Sequence, residues 1–246
     1  MGQTISKSGV KLYDDFRDNL IISKYDNQFV NMRSEKLEKI KSSNSEDALT
    51  WNYFKSLREI NPNDWLPQLF FLVFKNEFKY PLDNIVINLW QEILPPPSLL
   101  EKQKEEGKSE IDAIIESEDF VWLIEAKYKS DISLRTTNNE SRDQLIRNID
   151  VGSFYAGEKD FYFSLLYHND EFVAKGIEKI KEYSGKTLAG LKEMLNHRKE
   201  SLENIKGICS FKWNDLLKLD LQINHAVEND IFDILKDYLE NLDIRN

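Results

Sequence analysis

One strand-like stretch, SEIDAIIESEDFVWLIEAKYK (residues 109–129), contains four ionisable side chains that could take part in chemistry. Glu110 and Asp112 lie in its first apolar half, and Glu125 and Lys127 lie in its second half. Because side chains alternate between the two faces of a strand, the loop length of a hairpin decides which of them meet. A four-residue loop would place Asp112 opposite Glu125, and a two-residue loop would place Glu110 there. Both leave the carboxylates and Lys127 on one face, whereas a three-residue loop would separate them.

Two carboxylates opposite each other on neighbouring strands have Cβ atoms roughly 4.5–5.5 Å apart and repel each other. A divalent cation between them would remove that repulsion. Lys127 would then lie near the cation without being a ligand, as in a site that binds a phosphate, a cation and an attacking water. The other interpretation is structural, because charges on edge strands prevent aggregation and Lys127 could pair with Glu125 or Asp112.

The elements that must position this stretch have the order helix, three strands, helix, strand, which predicts an α/β fold with a mixed sheet flanked by helices. Polar helices are expected in the first forty residues, and a helix capped by Asn44 or Ser45 follows. The other predicted elements are an apolar helix at 65–74, strands at 83–93, in both halves of 109–129, at 160–168 and at 207–213, and helices at 141–157, 171–183, 188–204 and 229–242. No repeat or low-complexity linker divides the chain, so we expect one domain over residues 1–246.

Two polar residues on predicted helices each allow two interpretations. Glu46 lies in the first turn of its helix, where a carboxylate stabilises the positive end of the helix dipole. It also lies three positions before the buried Leu49, so its side chain projects beside the buried stripe. Gln144 precedes the apolar Leu145 and is either a solvent-facing residue or part of a site.

Taken together, these residues stand in an order that resembles the PD-(D/E)xK nuclease superfamily, whose restriction endonuclease-like core is helix, three strands, helix, strand. The residues that carry the resemblance are Glu46 on a helix, Asp112 on a strand, Glu125, Ala126 and Lys127 (EAK) on the next strand, and residues 144–148 (QLIRN) on a helix. Ile111 stands where the superfamily often has proline. The resemblance covers roughly residues 44–168, so this range is the expected catalytic core, with a helical addition at 1–43 and helices and a strand at 169–246.

The resemblance implies Mg²⁺- or Mn²⁺-dependent hydrolysis of phosphodiester bonds, usually in DNA, with RNA as a possible substrate and restriction or phage defence as the setting. Asp112, Glu125, the Ala126 carbonyl and Glu46 would bind the metal, which suits its preference for oxygen ligands. Lys127 would orient the attacking water or stabilise charge on the phosphate. Gln144 would hold the Lys127 region or the nucleophile, and Glu110 would be a spare ligand or would support the ligands.

Charge is unevenly distributed along a chain whose formal net charge is −10. Residues 126–147 are locally basic, and Lys129, Arg135, Arg142 and Arg147 are candidates for contacts to the nucleic-acid backbone. The acidic region from residue 221 onward motivates an alternative: a non-catalytic nucleic-acid-binding or interaction protein that keeps the nuclease fold and docks a partner subunit. A homodimer is also possible.

The cysteine count and the hydropathy pattern suggest where the chain works. Cys209 is the single cysteine, which excludes a disulfide framework and a cysteine zinc site. Since no apolar run reaches the roughly 18 residues of a membrane span, we expect a cytoplasmic protein without a membrane partner.

Overall fold

The computed structural model describes residues 2–7, 9–100, 106–135 and 142–243. They form two compact units. The terminal unit runs from the N-terminus to Leu66 and resumes at Asn214, and the central unit comprises Pro67–Trp213. The expectation of one domain over residues 1–246 stays a prediction.

The helices and strands follow one another in an order close to the expected one. They are β1 (Gln3–Ile5), β2 (Lys11–Tyr13), α1 (Ser34–Ile40), α2 (Glu46–Arg58), α3 (Pro62–Phe74), β3 (Val86–Ile93), β4 (Ser109–Glu116), β5 (Phe120–Ala126), α4 (Gln144–Ala156), β6 (Asp160–Tyr167), α5 (Ala174–Ser184), α6 (Leu188–Met194), β7 (Ile205–Lys212) and α7 (Ala226–Asp243). None of the helices in the described part of the chain is long and apolar enough to cross a membrane.

The central unit is built on a five-stranded sheet of order β3-β4-β5-β6-β7. The β3–β4 and β4–β5 pairs are antiparallel, whereas the β5–β6 and β6–β7 pairs are parallel. Helix α4 provides the crossover between the parallel strands β5 and β6. The predicted α/β class with a mixed sheet and flanking helices is therefore confirmed.

Helix α4 packs closely on one face of the sheet because of a glycine. A Cβ atom at Gly152 would lie 2.7 Å from the ring of Phe161 on β6 and 2.8 Å from the side chain of Leu123 on β5. Glycine therefore lets the helix backbone approach the sheet. On the other face, the rings of Phe70 and Phe74 contact Trp122 at centroid distances of 5.9 and 5.2 Å.

The helices expected in the first forty residues are present only in part, as α1. Strands β1 and β2 form a two-stranded sheet there, and Gly9 lies in the turn between them with φ +81°. Asp15 and Asp26 accept hydrogen bonds from the backbone N–H groups two residues on, and each caps a short 3₁₀ helix. These local side-chain contacts compete with longer helices, so only α1 remains.

Two other helix predictions are confirmed, one of them in a shorter form. Helix α2 is capped by Ser45, whose Oγ accepts a hydrogen bond from the backbone N–H of Ala48 at 3.1 Å. The helix expected over residues 188–204 is shorter, because α6 ends at Met194. Beyond it, the backbone carbonyls of Arg198 and Glu200 both accept from Lys192 Nζ at 2.6 Å, which stabilises a non-helical path.

Candidate active site

The β4–β5 hairpin has a register whose alternation puts the two central carboxylates on one face of the sheet. Glu116 pairs with Val121 and Ala113 pairs with Ile124, so residues 117–120 form a four-residue connection. The paired residues end at Ala113 and Ile124. By strand alternation, the next residues, Asp112 and Glu125, share the face of the sheet that carries Ile114 and Leu123. Asp112 Oδ2 also accepts a hydrogen bond from the backbone N–H of Ala126 at 2.8 Å, which links the two strands at this level.

The side chain of Glu125 is almost completely buried, with 2% of its surface exposed, and it is held by three donors. Its Oε1 atom lies 2.7 Å from Lys127 Nζ and accepts from Gln144 Nε2 at 2.5 Å. Its Oε2 atom accepts from Asn148 Nδ2 at 2.7 Å. Both oxygens are therefore oriented by the protein.

Gln144 and Asn148 reach Glu125 together because they are separated by one turn of α4 and lie on one face of that helix. Leu145 and Ile149 belong to the buried apolar cluster that includes Leu123 of β5, so the packing of α4 places the amide groups above the carboxylate. Sequence reasoning assigns no role of its own to Asn148. The feature that could have identified it is its spacing of four residues from Gln144, which puts both amides on one face of the helix.

The start of α4 is fixed by Asp143. Its carboxylate accepts from the backbone N–H groups of Leu145 and Ile146 at 2.9 and 3.0 Å, which satisfies two otherwise unpaired donors of the helix. Tyr183 of α5 donates its hydroxyl hydrogen to the same carboxylate. Burial, together with this carboxylate, raises the pKa of Tyr183, so the hydroxyl stays a donor.

Lys127 follows directly after β5, and its main chain is held on both sides. Its N–H donates to the carbonyl of Leu166 on β6 at 2.7 Å, and its carbonyl accepts from Trp213 Nε1 at 3.0 Å. The ammonium group also donates to the Ala126 carbonyl at 3.0 Å. With 6% of its surface exposed, Lys127 is a positioned cation next to the Glu125 carboxylate.

The loop after β5 is attached to two helices. Ser133 exchanges hydrogen bonds with Gln144: its N–H donates to Gln144 Oε1 at 3.3 Å, and its carbonyl accepts from Gln144 N–H at 2.9 Å. Asp131 accepts from the backbone N–H groups of Lys175 and Gly176 at the start of α5, at 2.9 and 3.0 Å. The loop therefore orients the same glutamine that contacts Glu125.

Strand β3 is distorted at the level of Asp112. Leu89 pairs with Ala113 and Gln91 pairs with Ile111, which leaves Trp90 across from Asp112 with a φ of +55°. A left-handed conformation of a residue with a bulky side chain costs roughly 1–2 kcal/mol. This strain lies next to the two carboxylates, and unfavourable backbone conformations of this kind cluster at functional sites.

The four basic residues predicted to contact nucleic acid have different environments. Lys129 is half-buried, with its ammonium 5.3 Å from the centre of the Tyr128 ring, and Arg135 is exposed. Arg147 Nη2 donates to the carbonyls of residues 107 and 108 at 2.9 and 3.1 Å, which fixes the segment that precedes β4.

Arg142 is buried and paired with carboxylates, and its contact with the nucleic-acid backbone stays a prediction. Its Nη2 lies 2.8 Å from Asp150 Oδ2, and its Nε lies 3.1 Å from Glu106 Oε1. Asp150 also pairs with His197 at 2.7 Å and with Arg198 at 3.0 Å. Burial alone would raise the pKa of Asp150, but the His197 hydrogen bond and the Arg142 charge outweigh it and lower the pKa.

The two remaining predicted acidic residues lie on other elements or at other positions of the strands. Glu110 is exposed and pairs with Glu92 of β3 in the strand register, so it lies two residues before Asp112 on the same face. Glu46 is the first residue of α2, in the terminal unit. Its role as a third metal ligand stays a prediction.

The chemistry of the donor set fits a hard divalent cation. Within the central unit, the Asp112 and Glu125 carboxylates and the Ala126 carbonyl are oxygen donors at one level of the hairpin, and Mg²⁺ and Mn²⁺ prefer such ligands together with bound waters. Among the described residues, no group of three or more histidine, cysteine, aspartate or glutamate side chains is gathered as for a metal ion. The set thus consists of two carboxylates and a carbonyl.

Comparison with known proteins identifies no relative: no family model, no curated protein and no solved structure matches this chain.

Proposed function

We propose that this chain is a metal-dependent nuclease of the PD-(D/E)xK type that hydrolyses phosphodiester bonds in DNA. A role in restriction or phage defence follows from the resemblance. The observation that carries the proposal is the hairpin register, whose alternation puts Asp112 and Glu125 on one face of the sheet, with Lys127 two residues after Glu125 and 2.7 Å from it.

Each residue of the site has a role in this reaction. Bound Mg²⁺ or Mn²⁺ supplies a Lewis acid and lowers the pKa of a coordinated water. Asp112, Glu125 and the Ala126 carbonyl would hold the cation. Gln144 and Asn148 orient Glu125. Lys127 brings the positive charge that stabilises negative charge on the phosphate oxygens, in a buried environment where such a charge acts more strongly than in water.

The alternative function is a non-catalytic nucleic-acid-binding or interaction protein that keeps this fold. The observation that favours it is the hydrogen bonding of Glu125, since both of its oxygens are already bound by Lys127, Gln144 and Asn148. A buried ion pair with such support can serve structure alone.

Cleavage assays separate the two functions. The purified chain is incubated with supercoiled plasmid, linear duplex, single-stranded DNA and RNA, with Mg²⁺, Mn²⁺ or EDTA. We expect metal-dependent cleavage by the wild type and a cleavage rate that is roughly 100-fold or more lower in Lys127→Ala. The control Lys199→Ala removes an exposed lysine of the same unit and should cleave at the wild-type rate. Cleavage by Lys127→Ala at the wild-type rate contradicts the proposed mechanism.

Circular dichroism checks that the variants are folded. A second substitution, Lys127→Met, removes the charge and keeps the apolar part of the side chain. Calorimetry with Mn²⁺ and thermal melts with and without Mg²⁺ provide a readout besides activity, because a ligand that binds only the native state raises the melting temperature. Binding of DNA without metal uptake or turnover supports the alternative function.

A further inference from the structure

A groove of about 400 Å³ opens on the surface of the terminal unit. Its walls come from the segment that follows the first 3₁₀ helix, from the C-terminal end of α2 and from α7, and are formed by Ile21, Ile22, Ser23, Ser56, Glu59, Ile231 and Ile234. A second concavity, lined by residues 21–26, shares Ile21, Ile22 and Ser23 with it. The floor is therefore largely aliphatic, and the concave surface extends along the 21–26 segment.

Large apolar side chains are exposed at the edges of these concavities. Ile234 is 50% exposed, and Tyr25, which lines the second concavity, is 85% exposed. Val227 is 71% exposed and precedes Ile231 and Ile234 by four and seven residues on α7. This spacing puts the three aliphatic residues on one face of the helix, beside its buried face rather than within it.

A stripe of carboxylates runs along α7 next to these apolar residues. Asp230, Asp233, Asp237 and Glu240 are exposed and recur at intervals of three and four residues, so they form one row along the helix. At about 100° per residue, Asp230 and Asp237 lie roughly 40–60° around α7 from Ile234, and Asp233 and Glu240 lie roughly 100–120° from it on the same side. An apolar groove with an acidic border is the result.

We propose that this groove and its acidic border, the α7 groove, bind a basic amphipathic helix of another protein. An amphipathic helix fits because its apolar side chains, repeated every three or four residues, would enter the apolar part of the α7 groove. Lysine or arginine residues beside them would lie over the four carboxylates, and Glu59 provides a negative charge at the groove itself.

The same charges disfavour the other occupants. The carboxylate row repels the phosphates of a nucleic acid. A second copy of this chain, docked about a two-fold axis, would bring its own row against the first, because the same patch contributes twice to such an interface. The α7 groove lies in the terminal unit, so its binding activity is separate from the chemistry proposed for the central unit.

Synthetic peptides test the proposal directly. The probe is a fluorescein-labelled peptide of about 18 residues, long enough to form a helix, with leucines at spacings of three and four and lysines elsewhere. One control peptide replaces the lysines with glutamates, and another replaces the leucines with glutamines. By fluorescence anisotropy, we expect the lysine–leucine peptide to bind at least about ten-fold more tightly than either control, with an affinity that falls as salt screens the carboxylates.

Two variants assign the binding to the α7 groove. Neutralising the row with Asp230→Asn, Asp233→Asn, Asp237→Asn and Glu240→Gln keeps the side-chain shapes and should weaken binding by about ten-fold or more, with loss of the salt dependence. Ile234→Asp should weaken it by a similar factor, with little effect on folding, because Ile234 is half exposed. The matched control neutralises four exposed glutamates of the central unit: Glu118, Glu158, Glu178 and Glu193.

Several results would overturn the proposal. They are no binding of the lysine–leucine peptide, equal binding of the glutamate–leucine peptide, and an equal loss of affinity in the central-unit control. A dimer in light scattering that Ile234→Asp converts to a monomer would also overturn it, since the occupant would then be a second copy. Unchanged peptide binding by Lys127→Ala is expected, because the α7 groove works without the nuclease site.

Discussion

Replacing Asn148 with alanine removes a hydrogen-bond donor to Glu125. The Nδ2–Oε2 distance is 2.7 Å and Asn148 is buried, so water does not replace the lost donor easily. Hydrogen bonds to charged groups contribute about 1.5–3 kcal/mol. We therefore expect Asn148→Ala to lower the free energy of unfolding by about 2 kcal/mol and the melting temperature by roughly 4–8 °C in a chain of this length.

A double-mutant cycle with Glu125→Gln shows whether the carboxylate charge is the cause. In the Glu125→Gln background the acceptor is neutral, and a neutral hydrogen bond contributes only about 1 kcal/mol. The cost of Asn148→Ala should therefore fall by about 1 kcal/mol, which is the coupling energy between the two side chains. Urea unfolding followed by circular dichroism and by tryptophan fluorescence measures all four proteins.

Asn204→Ala is the matched control for this cycle. Asn204 Nδ2 donates to the neutral carbonyls of Ser153 and Gly157 at 2.8 and 2.9 Å. Its substitution should cost the same in both backgrounds. A cost of Asn148→Ala that is likewise the same in the wild-type and the Glu125→Gln backgrounds would refute the reasoning, because the amide would then not be acting on the carboxylate.

Two further substitutions test the packing and the charges around α4. Gly152→Ala places a methyl group 2.7 Å from the ring of Phe161. The cost of overpacking, about 1–3 kcal/mol, should outweigh the gain of roughly 1 kcal/mol in helix propensity, so urea unfolding should show net destabilisation. The control Gly190→Ala should stabilise the protein, because its new Cβ lies 3.6 Å from its nearest neighbour. Asp150→Asn should destabilise the protein by about 3–5 kcal/mol at pH 7, because it removes the buried Asp150 charge that pairs with Arg142 and Arg198. The pKa of Asp150 is lowered in the folded state. The difference in unfolding free energy between wild type and variant should therefore be complete above the unfolded pKa of about 3.9 and should shrink as the pH falls below it. A difference that stays constant from pH 5 to about pH 3 would contradict the lowered pKa of Asp150.

Local rules in the sequence were sufficient for the central strands and most helices, but not for β1 and β2 or for the early end of α6. The alternation of side chains, together with a four-residue loop, predicts that Asp112 and Glu125 share a face, and the observed register agrees with that alternation. The cap at Ser45 and the α/β order were likewise available, since they depend on neighbouring residues and on hydrophobic periodicity. The nuclease function rests on this same pattern and stays a proposal.

Tertiary packing decided what local rules could not. Arg142 belonged to a basic stretch of sequence, but the approach of Asp150 and Glu106 from other parts of the chain buries it. In the sequence, Asn148 is an ordinary amide residue of a predicted helix. The packing of α4 on β5 brings its side chain to Glu125. The physical reason is that strand alternation and helix caps act over a few residues, whereas the environment of a charge depends on which distant groups folding brings against it.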